Sequence, residues 1–172
     1  KLLACPKCHQ QLHLENKTLK CENNHCYDIS KRGYINLLLN PDKATNNPGD
    51  SKESLVARKA YLNKGYYDPI LNQVITCIDE FKHQDDLSIL DLGCGEGYYT
   101  QGLKKHFENS DIYGLDISKI AIDMATRYRK DVTWIVENNK NIPILDHSLD
   151  FICALFTVVN QDELKRALKE DG

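Results

Sequence analysis

The feature that most restricts this chain is a strand signal running straight into alternating glycines, Ile89-Leu-Asp-Leu-Gly-Cys-Gly-Glu-Gly97. Glycine tolerates positive φ and lets a backbone approach a ligand closely, so three glycines between a strand and a helix define a ligand-binding turn. The spacing is G-x-G-x-G rather than the G-x-G-x-x-G of dinucleotide sites, and Asp91 lies in the strand end just before it. A pyrophosphate calls for helix-terminal N–H groups with no carboxylate nearby. A ligand carrying an amino group and a sulfonium is instead favoured by Asp91 and Glu96.

What surrounds the turn alternates between periods of two and 3.6 residues. Strands are predicted at 88–92, 111–115, 132–136 and 150–155, with helices at 98–107, from Ser118 to about residue 127, and at 162–169. Such alternation implies a doubly wound, parallel α/β sheet, Rossmann-like in layout. Asp116 ends the second strand about twenty residues beyond the glycines, where an acid can accept both hydroxyls of a ribose. Glu137, Asn138 and Asn139 end the third and could read an adenine edge, although a plain surface or capping role also fits Glu137. All of these lie at carboxyl ends of adjacent parallel strands, where open α/β sheets bind ligands. Taken together they point to S-adenosylmethionine (SAM).

The first 38 residues are of another kind. Four of the seven cysteines fall before residue 27, and no long apolar period is present to build a core. Cys5-Pro-Lys-Cys8 is followed, after twelve intervening residues, by Cys21, and then by His25 and Cys26. Two ligand pairs separated by a hairpin-sized stretch suit a structural zinc ion, whose binding energy would replace the missing core. Spacing alone leaves His25 and Cys26 open as the fourth ligand. Cys77, Cys94 and Cys153 are assigned no chemistry. The chain divides into a ribbon at 1–38, a linker and helical segment at 39–86, and a cofactor domain at 87–172. The linker runs from Asn40 to Asp50; Asp50-Ser-Lys-Glu53 fits a capping box, and Asp68-Pro69 a second helix start.

The net charge of −3 hides an asymmetry. Residues 1–64 carry eleven Lys/Arg against six Asp/Glu, and the remainder eleven against nineteen. A basic front on an acidic body suits a polyanionic partner. No apolar run approaches the roughly 20 residues that cross a bilayer, and no signal peptide opens the sequence, so no membrane association and a cytoplasmic location are expected.

These residues resemble the bacterial 23S rRNA (guanine-N1)-methyltransferases, a family with a zinc ribbon ahead of a class I SAM-dependent methyltransferase body. The resemblance runs through Cys5, Cys8, Cys21 and His25; Gly33-Tyr-Ile-Asn-Leu-Leu38; Pro48-Gly-Asp-Ser51; Ala57-Arg-Lys-Ala-Tyr-Leu62; Gly65-Tyr-Tyr-Asp-Pro69; and Asp91 to Thr100. It implies zinc on Cys5, Cys8, Cys21 and His25, and SAM contact by Tyr67, Gly95 and Glu96. The broader class I pattern adds Gly93, Asp116 and Asn138, the last standing where many relatives have an acid. It further implies methylation of N1 of a guanine in a 23S rRNA hairpin, recognition of that hairpin with help from the ribbon, and a tendency to form homodimers. Lys7, Lys17, Lys20, Lys31 and Arg32 are candidate phosphate contacts. The alternatives are a small-molecule methyltransferase with a purely structural ribbon, and an inactive SAM- or RNA-binding relative.

Guanine N1 carries a proton that must leave, so a base is useful; the sequence singles out none. Substrate-reading groups are expected after the fourth strand, at Phe156-Thr-Val-Val-Asn160, where relatives have a Pro-containing segment; Asn160 reads as a helix cap. The sequence closes on Leu168-Lys-Glu-Asp-Gly172, where class I enzymes read Leu-Lys-Pro-Gly-Gly before their fifth strand. The sheet is therefore expected to be C-terminally incomplete, with the SAM half-site present, weak SAM binding and a partial catalytic site.

Overall fold

The computed structural model describes residues 1–39, 49–170 and 172. The expected linker falls outside these residues except for Gly49 and Asp50, as does Pro48 of the family pattern.

The Cys-rich front folds as three short antiparallel strands, β1 (His13–Glu15), β2 (Thr18–Lys20) and β3 (Cys26–Asp28). Asn16, at φ 58°, makes the turn between β1 and β2, as a short polar side chain can. Leu12 and Leu19 point inward with Cys5 and Cys21, into the same apolar cluster as Leu90, Leu92, Tyr113, Leu115 and Ile135 of the large sheet. Backbone bonds continue the junction: Ala4 N–H donates to Pro143 O (2.9 Å) and Leu145 N–H to Leu2 O (2.9 Å).

Chain exit from the ribbon forms β4 (Ile35–Asn36), which pairs in parallel with β7 (Thr133–Val136). Two helices follow, α1 (Lys52–Leu62) and α2 (Asp68–Phe81). The α1 cap is Ser51, whose side chain accepts from Ser54 N–H; Asp50, expected as the cap, pairs with Arg58 at 2.9 Å. At α2, Tyr67 is the boundary residue and Pro69 lies in the first turn, where its missing N–H costs nothing.

The predicted alternation then appears as β5 (Ser88–Leu92), α3 (Tyr98–His106), β6 (Asp111–Asp116), α4 (Lys119–Ala125), β7, β8 (Phe151–Cys153) and α5 (Gln161–Ala167). Strand order is β4-β7-β6-β5-β8, every pair parallel. Connections run outward from β5 to β7 and then return to the other side of β5. That reversal opens a crevice at the carboxyl end of β5, where ligands of such sheets bind. Ser118 caps α4 through Ala121 N–H, and Asn160 caps α5 through Asp162 N–H, as its position suggested. No helix among the described residues is long and apolar enough to cross a membrane.

Candidate cofactor cleft and metal centre

In the ribbon, four donor atoms converge within 4.8 Å of one another: Sγ of Cys5, Cys8 and Cys21, and Nδ1 of His25. The imidazole nitrogen stands 3.4 Å from Cys5 Sγ, 3.5 Å from Cys8 Sγ and 3.4 Å from Cys21 Sγ, and Cys8 and Cys21 Sγ are 3.6 Å apart. Tetrahedral zinc, with Zn–S bonds of about 2.3 Å and Zn–N bonds of about 2.0 Å, gives S–S edges of about 3.8 Å and S–N edges of about 3.5 Å. The donor set therefore fits Zn²⁺. A hydrogen bond from Gln10 backbone holds the Cys8 thiol down at about 6, against the opposing effect of burial, which favours a thiolate ligand. Cys26, the rival fourth ligand, is exposed in β3 and directs its thiol to Asn24 O. Tyr27 was not foreseen: its hydroxyl is 3.3 Å from Cys5 Sγ, placed to donate to a thiolate from outside the ligand set.

At the other site, the glycine turn after β5 forms the floor of a cleft of about 320 Å³. Tyr67, Gly93, Gly95 and Glu96, four of the six expected cofactor residues, line it together with Asp91. Gly93 has φ 74° and Gly95 φ 56°. A Cβ on Gly93 would lie 2.7 Å from Thr157 Cβ, so this glycine lets the 154–160 loop pack on the turn. A Cβ on Gly95 would meet nothing within 4 Å and would enter the space of the cleft.

Asp116 is tied to the cleft by Gly95, whose N–H donates to Asp116 Oδ2 at 2.9 Å, while Ser118 N–H donates to Oδ1 at 2.7 Å. Each carboxylate oxygen has two lone pairs, so capacity for ribose hydroxyls remains. Asn138 is placed differently. It follows β7, is not among the residues lining the cleft, and its Oδ1 accepts from Lys140 N–H at 2.9 Å. Glu137 is buried, with Oε1 accepting from Asn138 N–H.

The electrostatics of the turn favour a cationic occupant. Burial pushes the Asp91 carboxyl up to about 6, against a 2.5 Å hydrogen bond from Thr100 Oγ1, with Asp116 and Glu96 raising it further. Glu96 and Asp116 are also raised, again chiefly by burial. Oε1 of Glu96 and the hydroxyl of Tyr99 are buried without a hydrogen-bond partner among the described residues, and both residues line the cleft. A ligand with an ammonium and a sulfonium would supply donors and positive charge where three carboxyls are penalised. SAM thus fits the residues present.

Sequence reasoning missed several walls of the cleft. Arg58, Tyr61 and Leu62 come from α1, Tyr98 and Tyr99 from α3, and Phe156 from the loop after β8. Tyr67 and Phe156 meet edge to face with centroids 6.2 Å apart. Arg58, Tyr61 and Leu62 fall within one segment that carries the family resemblance, Tyr98 and Tyr99 within another, and Phe156 opens the segment expected to read substrate, but nothing in their local pattern assigned them to the cofactor.

Comparison with known proteins agrees with this geometry. A family model described as a methyltransferase domain matches residues 89–171, and one described as the N-terminal region of RlmA, a zinc ribbon, matches residues 3–44. A curated 23S rRNA (guanine(748)-N(1))-methyltransferase from Streptomyces fradiae is 28% identical over 99% of this chain and 60% of its own length. A Bacillus subtilis (strain 168) relative, provisionally named a 23S rRNA (guanine-N(1)-)-methyltransferase, is 30% identical over 99% of this chain and 62% of its own length. The chain thus spans about three fifths of the length of these relatives. Among solved structures, a TehB-like SAM-dependent methyltransferase from Corynebacterium glutamicum superposes with a TM-score of 0.54 at 25% identity, covering 70% of this chain and 68% of that one. With a converged zinc ligand set and a glycine turn at the switch point of a parallel sheet, the chain carries a methyltransferase domain behind an RlmA-type zinc ribbon, and along its length it is similar to relatives named for N1 methylation of 23S rRNA guanine.

Proposed function

We propose that the protein transfers the methyl group of SAM to N1 of a guanine in a 23S rRNA hairpin, in the cytoplasm. The observation that carries this reading is the joint occurrence, in one chain and one order, of the ribbon and the cofactor turn, aligned over 99% of the chain with relatives named for that reaction. The division into ribbon (1–38), connecting segment (39–86) and cofactor domain (87–172) belongs to the same proposal. So does the dimeric state that the resemblance implies, which light scattering reads directly.

Within the proposal, Cys5, Cys8, Cys21 and His25 hold zinc, and Tyr67, Gly93, Gly95, Glu96, Asp116 and Asn138 contact SAM. Bound there, the cofactor supplies an electrophilic methyl on a sulfonium that is already a good leaving group. The chain's own contribution is placement. Asp91, Glu96 and Asp116 balance the ligand's positive charge, Gly95 keeps the floor of the cleft open, and the aromatic walls exclude water. Holding guanine N1 in line with the methyl lowers the entropic part of the barrier. The unused acceptor on Glu96 and the unused donor on Tyr99, both residues lining the cleft, would serve the ligand's amino acid moiety.

The test is mass mapping of methylated nucleotides in large-subunit rRNA from cells with and without the protein. One N1-methylguanosine lost with the protein supports the reading. Unchanged rRNA, with a methylated small molecule instead, favours the purely structural ribbon; no methyl transfer at all favours an inactive relative.

A further inference from the structure

On the side of the molecule away from the cofactor cleft, the ribbon and the body enclose a second cleft, of about 380 Å³. Its walls come from three separate segments: the β1–β2 turn, the residues after β3, and the stretch leaving α4 toward β7. Lys17, Lys31 and Arg32 enter from the ribbon side, Arg129 and Lys130 from the body, and no carboxylate is among the lining residues. The cleft opens at the amino end of β7, whereas Gly93, Gly95 and Asp116 stand at the carboxyl ends of their strands.

We propose that this composite cleft is a phosphate-backbone seat for the RNA substrate, distinct from the pocket that would receive the target base. The proposal rests on the RNA reading above and extends it to body residues outside the ribbon. Two observations support it beyond a count of charges. Both arginines are held by carboxylates standing outside the lining: Arg32 Nε is 2.7 Å from Asp123 Oδ1, and Arg129 makes a forked pair with Asp131 at 2.9 and 2.8 Å. Each guanidinium is therefore fixed in place with N–H groups left over for a phosphate. Lys17, Lys31 and Lys130 are exposed and take part in none of the ion pairs among the described residues.

With the two guanidiniums balanced by Asp123 and Asp131, the three lysines remain as uncompensated positive charge around one concavity, and their mutual repulsion is relieved by a polyanion. The remainder of the body is acidic, with nineteen Asp/Glu against eleven Lys/Arg beyond residue 64, so the cleft is a local exception to its surroundings. Shape selects the polyanion. A nucleic-acid backbone is a narrow anionic ridge that enters a cleft, while a bilayer presents a broad plane. Contacts of this kind set register and orientation and carry no sequence information, which suits a seat remote from the target base.

The experiment measures binding of a large-subunit rRNA hairpin to the intact protein across a salt series. It compares wild type, Lys17→Ala/Lys31→Ala/Lys130→Ala, and a control, Lys105→Ala/Lys165→Ala, that removes exposed lysines elsewhere. The triple variant is expected to bind about tenfold or more weakly at physiological salt. Its slope of log affinity against log salt should be smaller by about two to three, at roughly 0.7–0.9 per lost phosphate contact. SAM affinity and thermal midpoint should stay at wild-type values, and the control should bind like wild type. A triple variant with wild-type affinity and slope overturns the seat while leaving the RNA reading intact. A control that weakens as much as the triple variant also overturns it, since charge alone would then be at work. If wild type binds no RNA but binds anionic vesicles through these lysines, both the seat and the RNA reading fail.

Discussion

Gly95 offers a way to separate cofactor binding from folding. Replacing it by alanine puts a methyl group where nothing lies within 4 Å, at a φ of 56° inside the left-handed region. The backbone cost of a non-glycine residue there is about 1–2 kcal/mol. For a chain of this size that lowers the thermal midpoint by roughly 2–8 °C. The same methyl group intrudes on the cleft floor, and a loss of about 1.4 kcal/mol or more corresponds to at least tenfold weaker SAM binding. Gly93→Ala provides the contrast. Its Cβ would come within 2.7 Å of both Cβ and Oγ1 of Thr157, at φ 74°, so loop and turn must separate. Overpacking of about 1–3 kcal/mol then adds to the backbone cost. Calorimetric titration with S-adenosylhomocysteine, alongside thermal unfolding of both variants, reads the two effects separately. Wild-type affinity in Gly95→Ala, or a loss of stability equal to that of Gly93→Ala, would refute the reasoning.

Three further outcomes are expected. Because burial raises Asp91 to about 6, well above the ordinary carboxylate range of about 4, the folded state holds a proton that the unfolded state has lost over that interval. Its contribution to stability therefore falls as pH rises from about 4 to 6, by an order-of-magnitude 3 kcal/mol; urea unfolding at pH 5 and 7 should show a smaller drop in Asp91→Asn than in wild type. Zinc content by elemental analysis should remain one per chain in Cys26→Ser and fall well below one in Cys21→Ser, which also unfolds at lower temperature; a drop in Cys26→Ser alone would reverse the ligand assignment. Arg166→Met should lose about 2–4 kcal/mol in urea unfolding, because Arg166 donates to Ile142 O at 2.7 Å and Ile144 O at 2.8 Å while pairing with Glu163 at 2.9 Å; unaltered stability would show that this network does not anchor the segment under the ribbon.

What the sequence determined by itself is what short-range chemistry encodes. Apolar period, helix caps and glycines identified the parallel strands and helices of the body to within about two residues, including Asn160 as a cap. Ligand spacing identified Cys5, Cys8 and Cys21, and the order of glycines and acids identified the floor of the cleft. These signals act over a few residues, so a linear reading contains them. Tertiary structure decided what depends on residues far apart in the chain. It chose Nδ1 of His25 over Cys26 by bringing it against three thiols, and it made Asn36, more than ninety residues before β7, part of that strand's edge. It merged Leu12 and Leu19 of the ribbon with the core of the sheet, where metal alone had been expected to stand in for a core. It also set Arg58 and Phe156 around the cofactor turn, and Lys31 beside Lys130 in a cleft no local pattern announces. No periodicity links such pairs; they meet because burying apolar faces between layers brings their elements together.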